Sequence, residues 1–187
     1  MSSLCIEVLA TIFGLIQGIL ILQNKRSNWI FYILNISMLL VFSLINHLYG
    51  DVANNIIYLI MGITGAILWS RKSRNTITNC SIKERILYIF IIFTATIFIG
   101  NILSKTSDPL PFMDAFSTTS SFMATLYMIR HKIDSWIIWT VNDISYVIEY
   151  SMIPNTAYWL IGLNIIWTIM AILSYINWKH IMNSYKK

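Results

Sequence analysis

The residues best suited to chemistry are concentrated in one stretch, residues 135–150, which reads SWIIWTVNDISYVIEY. At about 100° of rotation per residue, five aromatic and acidic side chains share an arc of about 80° on a helix. These are Trp136, Trp139, Asp143, Tyr146 and Tyr150. Asn142 and Glu149 flank this stripe, and the rest of the circumference is mostly Ile and Val. One carboxylate among aromatic rings is suited to binding a cation through Coulomb attraction and cation–π contacts.

The apolar surroundings of Asp143 make it a functional candidate. A charge near the centre of a membrane-spanning helix costs on the order of several kcal/mol unless it is paired, hydrated or protonated. Asp143 is therefore predicted to serve the protein's activity. The alternative is that it only hydrogen-bonds a neighbouring helix.

The composition predicts an all-α integral membrane protein. Of the 187 residues, 57% are hydrophobic and 11% charged, and the mean hydropathy is +0.66. This is too apolar for a soluble domain of this size. Crossing a bilayer takes roughly 20 residues, and seven runs approach that length: 4–22, 29–48, 52–70, 86–104, 112–129, 136–153 and 157–178. Little of the chain remains for a separate soluble domain.

The net charge of +5 is explained by topology. In the predicted arrangement, twelve of the 13 Lys and Arg residues fall on one side of the membrane, and only Lys105 falls on the other. By the positive-inside rule, the N-terminus is expected outside and the C-terminus in the cytoplasm of a multi-pass protein of the cell (inner) membrane. The partners are then the lipid bilayer and a small molecule, and no nucleic acid is expected.

An internal repeat organises the helices. An offset of 107 residues aligns Trp29 with Trp136, Tyr32 with Trp139 and Asn35 with Asn142; after the next turn, an offset of 109 aligns Asn55 with Asn164 and Tyr58 with Trp167. We therefore predict two parallel three-helix repeats, residues 1–70 and 106–187. A cytoplasmic loop and a linker helix, residues 71–105, join them.

Transporters built from such repeats bind substrate near the middle of the membrane, where the repeats meet. The matching amide and aromatic side chains of the second, third, sixth and seventh helices are expected to converge there. The predicted substrate-binding residues are Asn35, Asn55, Tyr58, Trp136, Trp139, Asn142, Asp143, Tyr146, Asn164 and Trp167. Several amides, aromatic rings and one acid are suited to a hydroxylated ligand with a flat, cationic ring.

The second half of the chain, LPFMDAFSTTSSFMATLYMIRHKIDSWIIWTVNDISYVIEY, closely resembles the PnuC family of nicotinamide riboside transporters. The stretch LYGDVANNIIYLIMGITGAILW is similar to the third helix of the same family. The pattern W-x2-W-x3-[ND], at Trp136, Trp139 and Asp143, is the most specific part of the resemblance. One departure is Ser174, where the family pattern leads us to expect Gly.

The resemblance implies a seven-helix fold like that of the SWEET sugar transporters, with three helices, a linker helix and three helices. It also implies uptake of nicotinamide riboside by facilitated diffusion, with cytosolic phosphorylation trapping the product. Trp136, Trp139 and Asp143 would then form or brace the site, with Asn164 and Trp167 facing them from the seventh helix.

Several alternatives remain open at this point. Thiamine or another nucleoside-like vitamin would suit the same site, and a proton-coupled carrier would act through Glu7, Asp114 or Glu149. No enzyme activity, cofactor or metal is expected, because the three His residues match no metal-ligand spacing and no acid–base pair is visible. The oligomeric state is also open, since the apolar face of the fourth helix suits either lipid or a second copy.

Overall fold

The protein is described by a computed structural model that covers residues 3–71, 77–153 and 158–185, with nothing stated of the side chains of Ser3 and Leu4. The described parts form seven α-helices. Their bounds are α1 Ser3–Leu22, α2 Asn28–Ile45, α3 Tyr49–Arg71, α4 Ile82–Leu103, α5 Pro111–Ile129, α6 Ser135–Met152 and α7 Tyr158–Ser184. The prediction of an all-helical chain is confirmed.

Five of the helices in the described ranges, α1, α2, α3, α4 and α7, are long and apolar enough to cross a membrane. The other two, α5 and α6, carry more polar side chains and bury many of them. In α5 these include Ser117, Thr119, Ser120, Ser121 and Thr125, and in α6 they include Asn142, Asp143 and Glu149. Their polarity is therefore turned largely inward.

Helix ends differ from the apolar runs by a few residues, and local capping explains the clearest case. The fourth helix begins at Ile82, four residues before the predicted 86. Ser81 and Glu84 form a reciprocal capping box there, in which each side chain accepts a hydrogen bond from the other's main-chain N–H. The seventh helix continues to Ser184, beyond the predicted 178, while its predicted start at 157 lies outside the described residues.

The chain divides into two compact units, residues 1–76 and 77–187. In the first unit, α2 packs against both α1 and α3. Two glycines of α3 make room for aromatic rings of α2. A Cβ atom at Gly65 would lie 2.5 Å from the ring of Trp29, and one at Gly62 would lie 2.7 Å from the ring of Tyr32. The small residues of α3 are therefore explained by close packing, as on other membrane helices.

In the second unit, α4 packs on α5, α5 on α6 and α6 on α7. A hydrophobic cluster joins the first three of these helices and consists of Cys80, Ile92, Met123, Ala124, Tyr127 and Ile138. The segment before α4 is held to the loop between α5 and α6 by a main-chain bridge between Thr78 and Lys132. Helix α4 is thus part of the second unit.

The loop between α1 and α2 has the same backbone pattern as the loop between α5 and α6. Asn24 and His131, which are 107 residues apart, both have positive φ, 52° and 58°. The following main-chain hydrogen bonds also match at this offset: Lys25 to Leu20 with Lys132 to Tyr127, Asn28 to Lys25 with Ser135 to Lys132, and Trp29 to Arg26 with Trp136 to Ile133. This correspondence supports the internal duplication suggested by the sequence.

Candidate functional site

Asp143 is the central residue of the candidate site. It lies halfway along α6, about 12 Å from the start of the helix at 1.5 Å per residue. Only 7% of its surface is exposed. Within residues 3–71, 77–153 and 158–185, no side chain or main-chain group gives it a hydrogen bond or an ion pair. A buried carboxyl group without a partner is suited to receive a cationic ligand or a proton.

Two tyrosines provide aromatic surface one and two turns beyond Asp143. The rings of Tyr146 and Tyr150 are stacked, with centroids 5.8 Å apart and planes inclined by 15°. Tyr146 is half-buried. A flat ring that enters beside Asp143 would meet a similarly flat surface here, in the offset geometry that aromatic rings prefer.

Trp139 lies one turn before Asp143 and is also half-buried. Its ring packs against the hydrophobic cluster of the second unit. Part of its side chain therefore stabilises the packing of α6 on α4 and α5. Its role as a ligand contact stays a prediction.

Trp136 occupies a different place along α6, at the second residue of the helix. Its ring packs edge-to-face on Trp178 of α7, and Trp178 in turn stacks on His131. The Trp136 side chain is 5% exposed, and its indole N–H has no hydrogen-bond partner among the described residues. Packing at the end of the helix thus accounts for its burial, and contact with a ligand is untested.

Asn142 bridges two helices. Its side-chain amide donates to the main-chain oxygen of Ser117 and to the hydroxyl of Ser120, both at 2.7 Å, and the residue is fully buried. The aligned residue of the first unit, Asn35, donates to the main-chain oxygen of Ala10 at the same distance of 2.7 Å. Ala10 and Ser117 are themselves 107 residues apart. These amides therefore brace adjacent helices in the same way in each unit.

The remaining predicted site residues lie on α3 and α7. Asn55 donates to the hydroxyl of Ser43 at 3.3 Å, and Tyr58 is half-buried on the same helix. Asn164 donates to the main-chain oxygen of Leu160 one turn earlier, and Trp167 is half-buried. Because α7 packs directly on α6, its residues are available to the same side of the second unit. The roles of all four in binding a ligand stay predictions.

A buried acidic residue outside the predicted site joins α6 to α5. Glu149 is 7% exposed and accepts a hydrogen bond from the hydroxyl of Ser117. Sequence analysis placed Glu149 only on the flank of the stripe. Its partner could not be identified there, because Ser117 lies 32 residues earlier on another helix.

A second interaction that the sequence did not indicate ties the start of α4 to α6. Asp134 is fully buried and accepts hydrogen bonds from the main-chain N–H of Cys80 at 2.8 Å and from the Nε of Arg85 at 2.7 Å. Burial, followed by the negative charge of Asp134, raises the pKa of the Cys80 thiol to about 12. A thiol of this kind is inert at neutral pH. Cys80 is therefore structural.

Comparisons with known proteins identify the family. The family model described as "Nicotinamide mononucleotide transporter" matches residues 4–180. The protein named nicotinamide riboside transporter PnuC, from Neisseria mucosa, is 20% identical over an alignment that covers 92% of this chain and 71% of the relative. A solved structure, described as the crystal structure of the vitamin B3 transporter PnuC, has a similar fold, with a TM-score of 0.76 and 18% identity. That match covers 96% of this chain and 82% of the solved chain.

The family resemblance drawn from the sequence is thereby confirmed. The helices long and apolar enough to cross a membrane agree with it. The chain is a multi-pass membrane protein and belongs to the PnuC family of transporters.

Proposed function

We propose that the protein takes up nicotinamide riboside by facilitated diffusion and that cytosolic phosphorylation traps the product. The observation that carries this proposal is the burial of Asp143 at the middle of α6 without an internal partner. A transporter for a cation needs such a group to compensate for the ligand's loss of hydration. The name of the Neisseria mucosa relative points to the same substrate.

The chemistry of the second unit is suited to the two parts of this ligand. Asp143 would pair with the positive charge of the pyridinium ring, and Trp139 and Tyr146 would contact its flat face. A cation–π contact contributes about 0.5 to 2 kcal/mol, depending on how far it is desolvated. Asn164 and Trp167, on the adjacent helix α7, would contact the ribose or the ring.

A phosphorylated ligand, which the description of the family suggests, is less well matched to these residues. A phosphate group is bound by Lys, Arg or helix N-termini. Neither α6 nor the part of α7 before Lys179 contains Lys or Arg. The single acid among aromatic rings therefore favours a riboside over a mononucleotide.

Thiamine or another nucleoside-like vitamin is the second candidate. Thiamine also combines a positive charge with flat rings, so Asp143 would serve both ligands equally well. Coupling to protons belongs to the same alternative.

For the architecture we propose two three-helix repeats, residues 1–70 and 106–187, with residues 71–105 as loop and linker helix. The matched loops at Asn24 and His131 and the matched amides at Asn35 and Asn142 support the duplication. The N-terminus is proposed to lie outside and the C-terminus in the cytoplasm, on the basis of the positive-inside rule. The first-unit residues Asn55 and Tyr58 remain candidates for contacting the ligand.

Calorimetric titration of the detergent-purified protein tests the function. The ligands are nicotinamide riboside, thiamine and an uncharged nucleoside. Saturable binding of the riboside alone is the expected result. Binding of thiamine alone would move the protein to the second candidate, and binding of the uncharged nucleoside alone would contradict the role of Asp143.

A further inference from the structure

Four oxygen-bearing groups form a continuous chain between α6 and α5. The carboxylate of Glu149 lies 3.2 Å from the hydroxyl of Ser117, and that hydroxyl lies 3.1 Å from the hydroxyl of Ser145. The hydroxyl of Ser145 lies 2.7 Å from the main-chain oxygen of Asn142. The chain therefore begins at a buried acid and ends at the residue next to Asp143.

Counting protons shows which state of Glu149 completes this chain. There are three oxygen–oxygen contacts, and the two serine hydroxyls supply two protons. If Glu149 is ionised, one contact lacks a hydrogen and two oxygens face each other without a bond. If Glu149 is protonated, it donates to Ser117, Ser117 donates to Ser145, and Ser145 donates to Asn142. All three contacts are then hydrogen bonds that run in one direction.

The electrostatic surroundings also disfavour a negative charge on Glu149. The charged groups that act on it are Asp114 on α5 and Asp108 before α5, which are both acidic. Tyr150 is its titratable neighbour on α6. No Lys, Arg or His in the described parts of α4, α5, α6 or α7 pairs with it. A buried carboxylate without a cation is strongly disfavoured and is normally neutralised.

We propose that Glu149 is a proton-binding site, and that its proton holds α6 against α5 in the arrangement that transport requires. The consequence for transport rests on the proposed function, whereas the binding of the proton does not. Loss of the proton would break the hydrogen-bond chain beside Asp143. The riboside uptake rate is then expected to fall as pH rises through the titration of Glu149.

Infrared spectroscopy tests the proton directly and needs no ligand. A protonated carboxyl group has a carbonyl stretching band that an ionised carboxylate lacks. Glu149→Gln keeps a donor to Ser117 and should fold, and its spectrum at neutral pH should lose one protonated-carboxyl band relative to the unaltered protein. Glu7→Gln, the same change at an exposed acid of α1, should lose none. Equal band intensity in the unaltered protein and in Glu149→Gln would overturn the proposal.

A second variant covers the case in which Glu149→Gln does not fold. Ser117→Ala removes the acceptor of the Glu149 proton and leaves the carboxyl group in place. The band should then move to the higher frequency of an acid without a hydrogen bond. An unmoved band would show that Glu149 does not donate to Ser117, and it would overturn the proposal.

Transport measurements test the consequence separately. In vesicles with equal pH on both sides, uptake of nicotinamide riboside by the unaltered protein should decrease with rising pH, and uptake by Glu149→Gln should stay level. Parallel pH profiles in the two proteins would contradict the role of the proton. Failure of both proteins to transport the riboside, with the infrared difference present, would count against the substrate and leave the proton site established.

Discussion

The ring of Trp136 packs edge-to-face on the ring of Trp178, with centroids 5.3 Å apart and planes at 84°. The aligned residues of the first unit, Trp29 and Trp69, pack in the same way, with centroids 5.5 Å apart and planes at 80°. All four side chains are almost completely buried. Each unit therefore contains the same aromatic contact between its second and third repeat helices.

This correspondence predicts similar losses of stability for Trp29→Ala and Trp136→Ala. Removing a fully packed Trp costs about 3–5 kcal/mol, and the edge-to-face contact is lost with it. Denaturant or thermal unfolding in detergent measures the change. Trp159→Ala, at a residue that is 67% exposed, serves as the control and should change stability little. A small effect at Trp136 with a large effect at Trp29 would argue against equivalent roles.

The glycine at position 65 predicts a steric effect. In Gly65→Ala the added methyl group would lie 2.5 Å from the buried ring of Trp29, so the ring or the helix must shift. Overpacking of this kind costs about 1–3 kcal/mol. The same substitution at Gly162, where no atom lies within 4 Å, should be neutral or slightly stabilising. Thermal unfolding compares the two variants, and equal stability would contradict the packing described for α2 and α3.

The buried Asp134 predicts a loss of stability without a direct effect on the ligand. In Asp134→Ala the buried N–H of Cys80 loses its acceptor, which costs about 1–3 kcal/mol. Asp51→Ala, at an exposed acid in the first turn of α3, is the matched control and should have a much smaller effect. Unfolding measurements check both changes. Unchanged stability in Asp134→Ala would mean that Asp134 does not hold the segment before α4.

Asn142 is expected to act on stability more than on selectivity. Asn142→Ala removes two hydrogen bonds from α6 to α5, and unpaired buried acceptors then cost about 1–3 kcal/mol. Affinity for cationic and uncharged ligands should fall by similar factors, because no charge is removed. Asn101→Ala, at an exposed Asn of α4, is the control for stability. Selective loss of one ligand class would instead make Asn142 a direct contact.

Sequence periodicity predicted the seven helices well, because each consists of a long, mostly apolar run. It predicted their ends less well, because an end depends on local capping. The start of α4 was placed at 86, where the apolar run begins, although Ser81 and Glu84 already show the S-x-x-E pattern of a capping box. That signal was present in the sequence and would have corrected the boundary.

The candidate site was harder to predict for a physical reason. Periodicity shows which side chains share a face of a helix, but it does not show what lies opposite that face. Asn142 and Asp143 are neighbours near the same stripe, yet Asn142 bonds to α5 and Asp143 has no bond within the described chain. The chain from Glu149 to Ser117 needs the register of α5 on α6, which depends on packing between residues distant in sequence.

The most direct test of the central claim compares Asp143→Asn with the unaltered protein. Asparagine keeps the shape and removes the charge, and hydrogen bonds to a charged group contribute about 1.5–3 kcal/mol. Calorimetric titration should show about a 10- to 100-fold loss of affinity for nicotinamide riboside and little loss for an uncharged analogue. An equal loss for both ligands would contradict the claim and make Asp143 a structural residue.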